Sequence, residues 1–171
     1  MAQRVVAHFI DHGIVKGTSV DVDPGRPRCH ISTEAGPVEV DLAQLKALYF
    51  VKDLNGRPEY DDERVPQPGD TRLRGSHPVR LTFMDGEQLH GLMNRFPPNR
   101  PFFFLVPIDP ASNNDRILVN RQALVSVESL DITALDPPSP PTGTGDPPRP
   151  QRTSWVFDGK DIRRIDVDRP E

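Results

Sequence analysis

The sequence is poor in cysteine, in aromatic residues and in long apolar runs. Its single cysteine, Cys29, excludes both an intramolecular disulfide and a zinc site built on cysteines. Cys29 lies in a predicted strand, where we expect a half-buried structural residue rather than a reactive thiol. No apolar run is long enough to span a membrane, and no signal-peptide pattern precedes the first predicted strand. We therefore expect a cytoplasmic protein without membrane insertion.

Neither sign of charge dominates, because the sequence has 21 Lys and Arg residues and 25 Asp and Glu residues, and the two signs are interspersed. A nucleic-acid surface needs a clustered basic face, so we expect no nucleic-acid partner. Catalytic patterns are missing as well: there is no P-loop, nucleophile elbow or dinucleotide fingerprint. His8, His12 and His30 lack the spacing of metal ligands. We predict a protein that is not an enzyme and has no cofactor and no metal site.

What the sequence does contain is an internal repeat. Residues 5–31 recur at residues 79–105. Extra residues in the second copy then shift the later matches, which pair Val40 with Val119 and Leu45 with Leu124. Two copies of one small module are therefore expected. Each is too small to be stable alone, so the two should share a core or an interface. The identities are Val5/Val79, Phe9/Phe83, Asp11/Asp85, Gly17/Gly91, Pro24/Pro98, Arg26/Arg100 and Pro27/Pro101.

Each copy is predicted to form five strands and one short helical turn. β-Branched and aromatic residues mark the strands, and Gly17 and Gly91 mark a bulge or sharp bend in the second strand. Asp41 and Asn120 are expected to cap the helical turns. We predict a mostly β fold of two tandem five-stranded SH3-like or Sm-like small barrels related by a pseudo-twofold axis, although a curled open sheet is also compatible. The predicted core residues are Phe9, Val15, Val22, Phe83, Leu89 and Phe96.

Composition divides the chain into five segments. We assign residues 4–54 to the first barrel, 55–77 to a linker and 78–132 to the second barrel. Residues 133–152 are dominated by Pro, Gly, Ser and Thr, which is typical of a disordered spacer. Residues 153–171 are apolar again, so they form a short docking motif or an additional strand.

Arg26 and Arg100 are the candidate ligand-binding residues, because the same proline-bounded loop carries an arginine in both copies. Arginine can hold a carboxylate or phosphate through two parallel hydrogen bonds. The alternative is that each arginine pairs with a nearby carboxylate and braces its loop. Asp11 and Asp85 are the expected partners in that case, since they are the acidic residues that recur in register.

The C-terminal segment carries the candidate partner-binding residues. A short apolar motif on a tether often docks into a groove or adds a strand to a sheet edge. The alternative is a fold-back onto the chain itself, as a hairpin that turns at Asp158-Gly159. We favour docking onto a partner, with tryptophan as the anchor. The residues are Trp155, Val156, Phe157, Ile162 and Ile165.

Three stretches, residues 40–53, 79–87 and 104–116, resemble an uncharacterised bacterial family of small β-domains. Members of that family occur as small proteins or at the ends of signalling proteins. The resemblance covers roughly residues 4–130, implies a β-rich fold and assigns no catalytic residue. The nearest functional analogy is the PilZ barrels that bind cyclic di-GMP. Their Arg-x-x-x-Arg motif is absent before Val79, as is the Asp/Asn-x-Ser-x-x-Gly motif that follows it.

Paired binding modules, a tethered motif and no reaction centre together favour a non-enzymatic interaction or adaptor module. The expected setting is a bacterial regulatory complex in motility or cell polarity, acting on a small Ras-like GTPase or a response regulator. The alternative is a sensor in which Arg26 and Arg100 hold an anionic ligand or a cyclic nucleotide. The sequence leaves the oligomeric state open.

Overall fold

The first copy of the repeat forms five strands, with one short 3-10 turn before the fifth. The computed structural model describes residues 1–132, 153–158 and 161–166. The turn, Leu42–Gln44, is capped as predicted, because the Asp41 carboxylate accepts a hydrogen bond from the backbone nitrogen of Ala43 at 2.9 Å. The strands are β1 (Gln3–Phe9), β2 (Ile14–Ser19), β3 (Arg28–Thr33), β4 (Gly36–Asp41) and β5 (Leu45–Val51).

The second copy repeats this arrangement. Its 3-10 turn, Arg121–Ala123, is capped by Asn120, whose side-chain oxygen accepts from the backbone nitrogen of Gln122 at 3.0 Å. Both predicted caps are therefore confirmed. The strands are β6 (His77–Phe83), β7 (Gln88–Met93), β8 (Phe102–Pro107), β9 (Asn114–Asn120) and β10 (Leu124–Ser129).

The repeat extends to the strand register. Ala7 of β1 lies opposite Leu48 of β5, and the equivalent Leu81 of β6 lies opposite Val127 of β10. Both of these pairings contain a register shift at the same position, next to the equivalent residues Leu45 and Leu124. The internal similarity in sequence is thus a similarity in structure.

The first ten strands form one open antiparallel sheet, in the order β10-β6-β7-β8-β9-β5-β1-β2-β3-β4. The mostly β class is confirmed, whereas two separate barrels are not. The copies meet where β5 pairs with β9, that is, where a fifth strand meets a fourth strand. A pseudo-twofold axis would also require β4 to meet β10, because twofold contacts are reciprocal. These strands lie at opposite ends of the ten-stranded sheet, so the predicted axis is wrong.

Two cores lie on either side of this junction, and each takes residues from both copies. The first core contains Val5, Ile31 and Leu48, and Leu118 of the second copy joins it. The second core contains Leu81 and Phe83, and it takes apolar residues of the first copy, namely Val6, Ala47, Tyr49 and Val51. The shared interface expected from the small size of each copy is therefore present.

This junction accounts for the three consecutive phenylalanines of β8. Phe102 and Phe104 pack against the first core, and Phe103 packs against the second. Alternate residues of a strand face opposite sides of a sheet, so β8 is covered on both faces by different cores. Of the predicted core residues, Phe83 is 1% exposed. The others, Phe9, Val15, Val22, Leu89 and Phe96, are partly buried against the cores.

The segment between the copies contains one 3-10 turn, Thr71–Leu73, and is bonded to the β8–β9 loop. Buried Asp109 of that loop accepts hydrogen bonds from the Tyr60 hydroxyl at 2.6 Å and the Glu63 backbone nitrogen at 3.0 Å. Arg72 donates to the carbonyl oxygen of Pro107 at 3.1 Å. These bonds hold the linker against the second copy.

Two further strands, β11 (Thr153–Asp158) and β12 (Asp161–Asp166), extend the sheet beyond β10. They pair with each other as an antiparallel hairpin, and β11 pairs with β10. This is the fold-back that the sequence left open as an alternative to docking. The predicted proline-rich spacer, residues 133–152, lies outside the described residues.

Candidate functional site

A groove of about 320 Å³ lies beside the proline-bounded loop of the second copy, and the twin loop of the first copy reaches it. Pro24 is the contribution of the first copy. Pro98, Asn99 and Arg100 line the groove from the loop itself, and Arg95 precedes it. We call this the inter-loop groove. Its remaining lining residues are Met93, Asn94, Phe102, Phe103 and Phe104.

The same backbone contact holds both loops. The Leu42 nitrogen donates to the Pro27 carbonyl at 2.9 Å, and the Arg121 nitrogen donates to the Pro101 carbonyl at 2.9 Å. Each loop is thus attached to the 3-10 turn of its own copy at an equivalent place. Proline also fixes its own φ angle. Each loop is therefore restricted both by this backbone hydrogen bond and by its proline rings.

The inter-loop groove carries two arginines that form no salt bridge within the part of the chain that the structure describes. Arg95 and Arg100 are exposed, and neither has a carboxylate within salt-bridge distance among the residues that the structure describes. The partly buried rings of β8 lie beside them. An arginine fork beside an aromatic surface suits an anion that also presents apolar area.

The two arginines predicted from the repeat have different surroundings. Arg26 is exposed and lies 3.8 Å from the Asp23 carboxylate, whereas Arg100 lines the inter-loop groove. The structure does not bring the two together in that groove. The carboxylate near Arg26 is thus that of Asp23 rather than the expected Asp11, and a role of Arg26 in bracing its loop stays a prediction. Asp11 instead accepts from the Gly13 backbone nitrogen at 3.0 Å.

Asp85, the other expected partner of an arginine, binds a lysine. Lys46 of β5 donates to Asp85 at 2.6 Å and also contacts Glu87. These two contacts join the first copy to the β6–β7 turn of the second. The hydrogen bond from Lys46 lowers the pKa of Asp85. Nearby, burial raises the pKa of Tyr49 far above its usual range. The cluster connects the copies and contains no activated nucleophile.

Arg95 was not found from the sequence, because it is not part of the repeated pattern. The equivalent residue of the first copy is Asp21, so the charge is reversed between copies. The reversal of charge at this matching position is the signal that could have drawn attention to Arg95. Arg95 lies five residues before Arg100 in the sequence, but only the folded chain shows that both line one groove with the rings of β8.

The partner-binding residues predicted at the C-terminus lie in the hairpin. Trp155, Val156 and Phe157 belong to β11, and Ile162 and Ile165 belong to β12. Trp155 lies opposite Val127 of β10 in the backbone register. A role for these residues in binding a partner stays a prediction.

Other kinds of site find little support in the described part of the chain. Cys29 is fully buried rather than half-buried as expected, and burial raises the pKa of its thiol to about 11, which disfavours a reactive thiolate. Within residues 1–132 and the two described hairpin strands, no cluster of His, Cys, Asp and Glu could hold a metal ion. None of the helices in these residues is both long and apolar enough to cross a membrane.

The fold and the groove define a class: an antiparallel β protein of two interlocked repeats with a cationic groove at one loop. The chain belongs to the Family of unknown function (DUF6982), whose model matches residues 1–131. Membership of an uncharacterised family agrees with the resemblance seen in the sequence. No curated protein and no solved structure matches the chain, and the likeness to SH3, Sm or PilZ barrels gains no support.

Proposed function

We propose that this chain is a non-enzymatic protein-interaction module that binds an acidic segment of a partner protein in the inter-loop groove. The observation that carries the proposal is the position of Arg95 and Arg100, exposed beside the phenylalanines of β8 and without a carboxylate partner among the described residues. Hydrogen bonds between arginine and carboxylate are charge-assisted and directional, so they select acidic side chains. The aromatic rings add apolar contact area.

Binding of defined peptides tests this proposal. We expect fluorescein-labelled nine-residue peptides that combine glutamate with proline and phenylalanine to bind, as measured by fluorescence anisotropy. Replacing both Arg95 and Arg100 by Ala should weaken binding at least tenfold, because two charge-assisted hydrogen bonds are lost. Raising the salt concentration should weaken binding to the unmodified protein, since both arginines are exposed.

Arg26→Ala is the matched control. Arg26 occupies the equivalent loop position of the first copy, is exposed and does not line the groove. It should leave the affinity unchanged. Equal losses from Arg26→Ala and from Arg100→Ala would show that general surface charge, and not the groove, binds the peptide.

A small anionic ligand is the second candidate occupant. The volume of about 320 Å³ is at the lower end of the range for ligand pockets, and arginine beside an aromatic ring also suits a nucleotide. Calorimetry with cyclic di-GMP and with nucleoside triphosphates separates the two candidates. Saturable nucleotide binding that Arg95→Ala abolishes, together with no peptide binding, would favour the sensor.

We extend the main proposal to an adaptor in a regulatory complex, with a small Ras-like GTPase or a response regulator as the partner. This extension depends on the resemblance to domains of signalling proteins. A pull-down from the native cell, with the Arg95→Ala/Arg100→Ala protein as the negative control, tests it. Recovery of no GTPase and no response regulator above that control would contradict the extension alone.

A further inference from the structure

The outer edge of β10 holds a strand in the same way as the edge of β5. In the junction between the copies, β5 pairs with β9, with Ala47 opposite Val119. Ser126 of β10 is the equivalent of Ala47, and it lies opposite Val156 of β11. β11 therefore occupies on β10 the place that β9 occupies on β5.

The side chains around β10 do not suit a whole further repeat. The apolar surface of the first copy that packs into the second core contains Val51, whose equivalent is the apolar Leu130, together with Val6, Ala47 and Tyr49. The equivalents of the other three are polar, namely Arg80, Ser126 and Glu128. Arg80 Nε donates to Glu128 at 2.7 Å. Burying this ion pair beneath another repeat would carry a desolvation penalty. The edge of β10 therefore suits a single added strand, held by backbone hydrogen bonds, and does not suit the packing of another whole repeat.

The opposite end of the ten-stranded sheet is protected against strand addition. β4 contains Pro37, which has no N–H to donate to a neighbouring strand. Glu39 stands where β9 has Leu118, and its carboxylate accepts from Arg28 at 3.0 Å. Proline and charge are common protections of exposed edges. Within the described sheet, strand addition is thus favoured at β10 over β4.

The occupant of β10 is a self-contained hairpin that is connected to β10 only through residues 130–152. β11 and β12 pair along their whole length, and the family model ends at residue 131, before the hairpin begins. A connection of about 20 residues can reach roughly 60 Å when extended. That reach exceeds the diameter of a small domain, about 30 Å, so the hairpin can meet the β10 edge of a neighbouring molecule.

We infer that the β10 edge is an exchange site, at which the β11–β12 hairpin of a second copy replaces the chain's own hairpin. The backbone hydrogen bonds between β10 and β11 are the same whichever chain supplies the hairpin, so the exchanged dimer loses no pairing. The intramolecular form dominates in dilute solution, because a tethered strand has an effective concentration of roughly millimolar order. The inference is independent of the inter-loop groove.

Cysteine trapping in the full-length chain tests the exchange. One variant carries Ser126→Cys and another carries Val156→Cys, two positions that lie directly opposite each other. Mixed at about 1 mM, the order of the tether's effective concentration, they should form a disulfide between chains under mild oxidation, seen on a non-reducing gel. The native Cys29 can stay in place because it is buried.

Three controls make the result decisive. Each variant alone gives the background of random cross-linking. A mixture of Ser126→Cys with Ser154→Cys changes the register, since Ser154 lies opposite Glu128, and should stay at that background. A chain with both Ser126→Cys and Val156→Cys should form an intramolecular disulfide in dilute solution, which checks the pairing itself.

The possible outcomes separate the steps of the inference. A disulfide between the matched variants above both backgrounds supports exchange with a second copy. An intramolecular disulfide without any excess between chains at about 1 mM would overturn exchange and leave a permanent edge cap. Failure of both disulfides would overturn the β10–β11 pairing on which the inference depends.

Discussion

Asp21 and Arg95 occupy equivalent positions in the two copies and have opposite roles. The Asp21 carboxylate accepts from the backbone nitrogen of His30 at 2.9 Å and contacts the His30 ring at 2.7 Å, which lowers the pKa of Asp21 to about 2. Arg95 lines the inter-loop groove instead. One copy thus uses the position to fasten its own β3, and the other exposes an arginine that has no carboxylate partner among the described residues.

The Asp21–His30 contact gives a pH-dependent prediction. The hydrogen bond to Asp21 raises the pKa of His30 above 6.5, so its stabilising effect is complete below pH 6.5 and is lost as pH rises through that raised value. Asp21 has the opposite sign: its contribution is present above pH 3.8 and is lost as pH falls towards 2. NMR titration should show the raised pKa of His30, and Asp21→Asn should lower it.

Glu39→Gln is the control for this titration. Glu39 acts on His30 only through its charge, the smallest of the effects that raise the pKa of His30. It should lower the pKa of His30 less than Asp21→Asn does. An unchanged titration of His30 in Asp21→Asn would show that the contact does not form in solution.

At the scale of the strand, Gly17 and Gly91 permit a close approach between the second and third strands of each copy. A Cβ atom on Gly17 would lie 2.2 Å from the carbonyl oxygen of Ser32, and one on Gly91 would lie 2.4 Å from Cγ of Leu105. Both distances are shorter than any real contact. The glycines recur because each copy brings its second and third strands close together at the same place. The predicted bulge or bend at these residues stays a prediction.

We expect Gly17→Ala to lower the free energy of unfolding by about 1–3 kcal/mol, as overpacking does. The nearest atom is a backbone oxygen, which cannot rotate away as a side chain can. Urea denaturation measures the change, and Thr18→Ala in the same strand is the control, expected to stay within about 0.5 kcal/mol. Equal stability of Gly17→Ala and Thr18→Ala would mean that the two strands are farther apart than described.

For the whole molecule, the main structural feature is that each core contains residues from both copies. Leu118 of the second copy packs into the first core, while Tyr49 and Val51 of the first copy pack into the second. Neither copy can separate without exposing these side chains, each costing about 1.5–3 kcal/mol. We therefore expect the two repeats, which have the same strand order, to unfold as one cooperative unit.

A fragment of residues 1–54 is accordingly expected not to fold. Its β5 would lose the pairing with β9, and the apolar face of Tyr49 and Val51 would be open to water. Circular dichroism should show no cooperative transition for the fragment, and one single transition for the complete chain. A fragment that melts cooperatively by itself would show that the copies are independent domains.

The sequence by itself determined everything that depends on neighbours along the chain. The repeat, the five strands of each copy and the capped turns follow from residue type and spacing. Arg100 was found because it recurs. Only the tertiary structure decided which edges meet, because backbone hydrogen bonds along a strand edge carry no residue code. Phe104 and His30 hold equivalent positions. Phe104 packs against the first core because β8 follows β9, which pairs with β5, and the sequence does not show that pairing. Arg95 joined the site for the same reason: its importance comes from what lies beside it in space, and no local pattern records that.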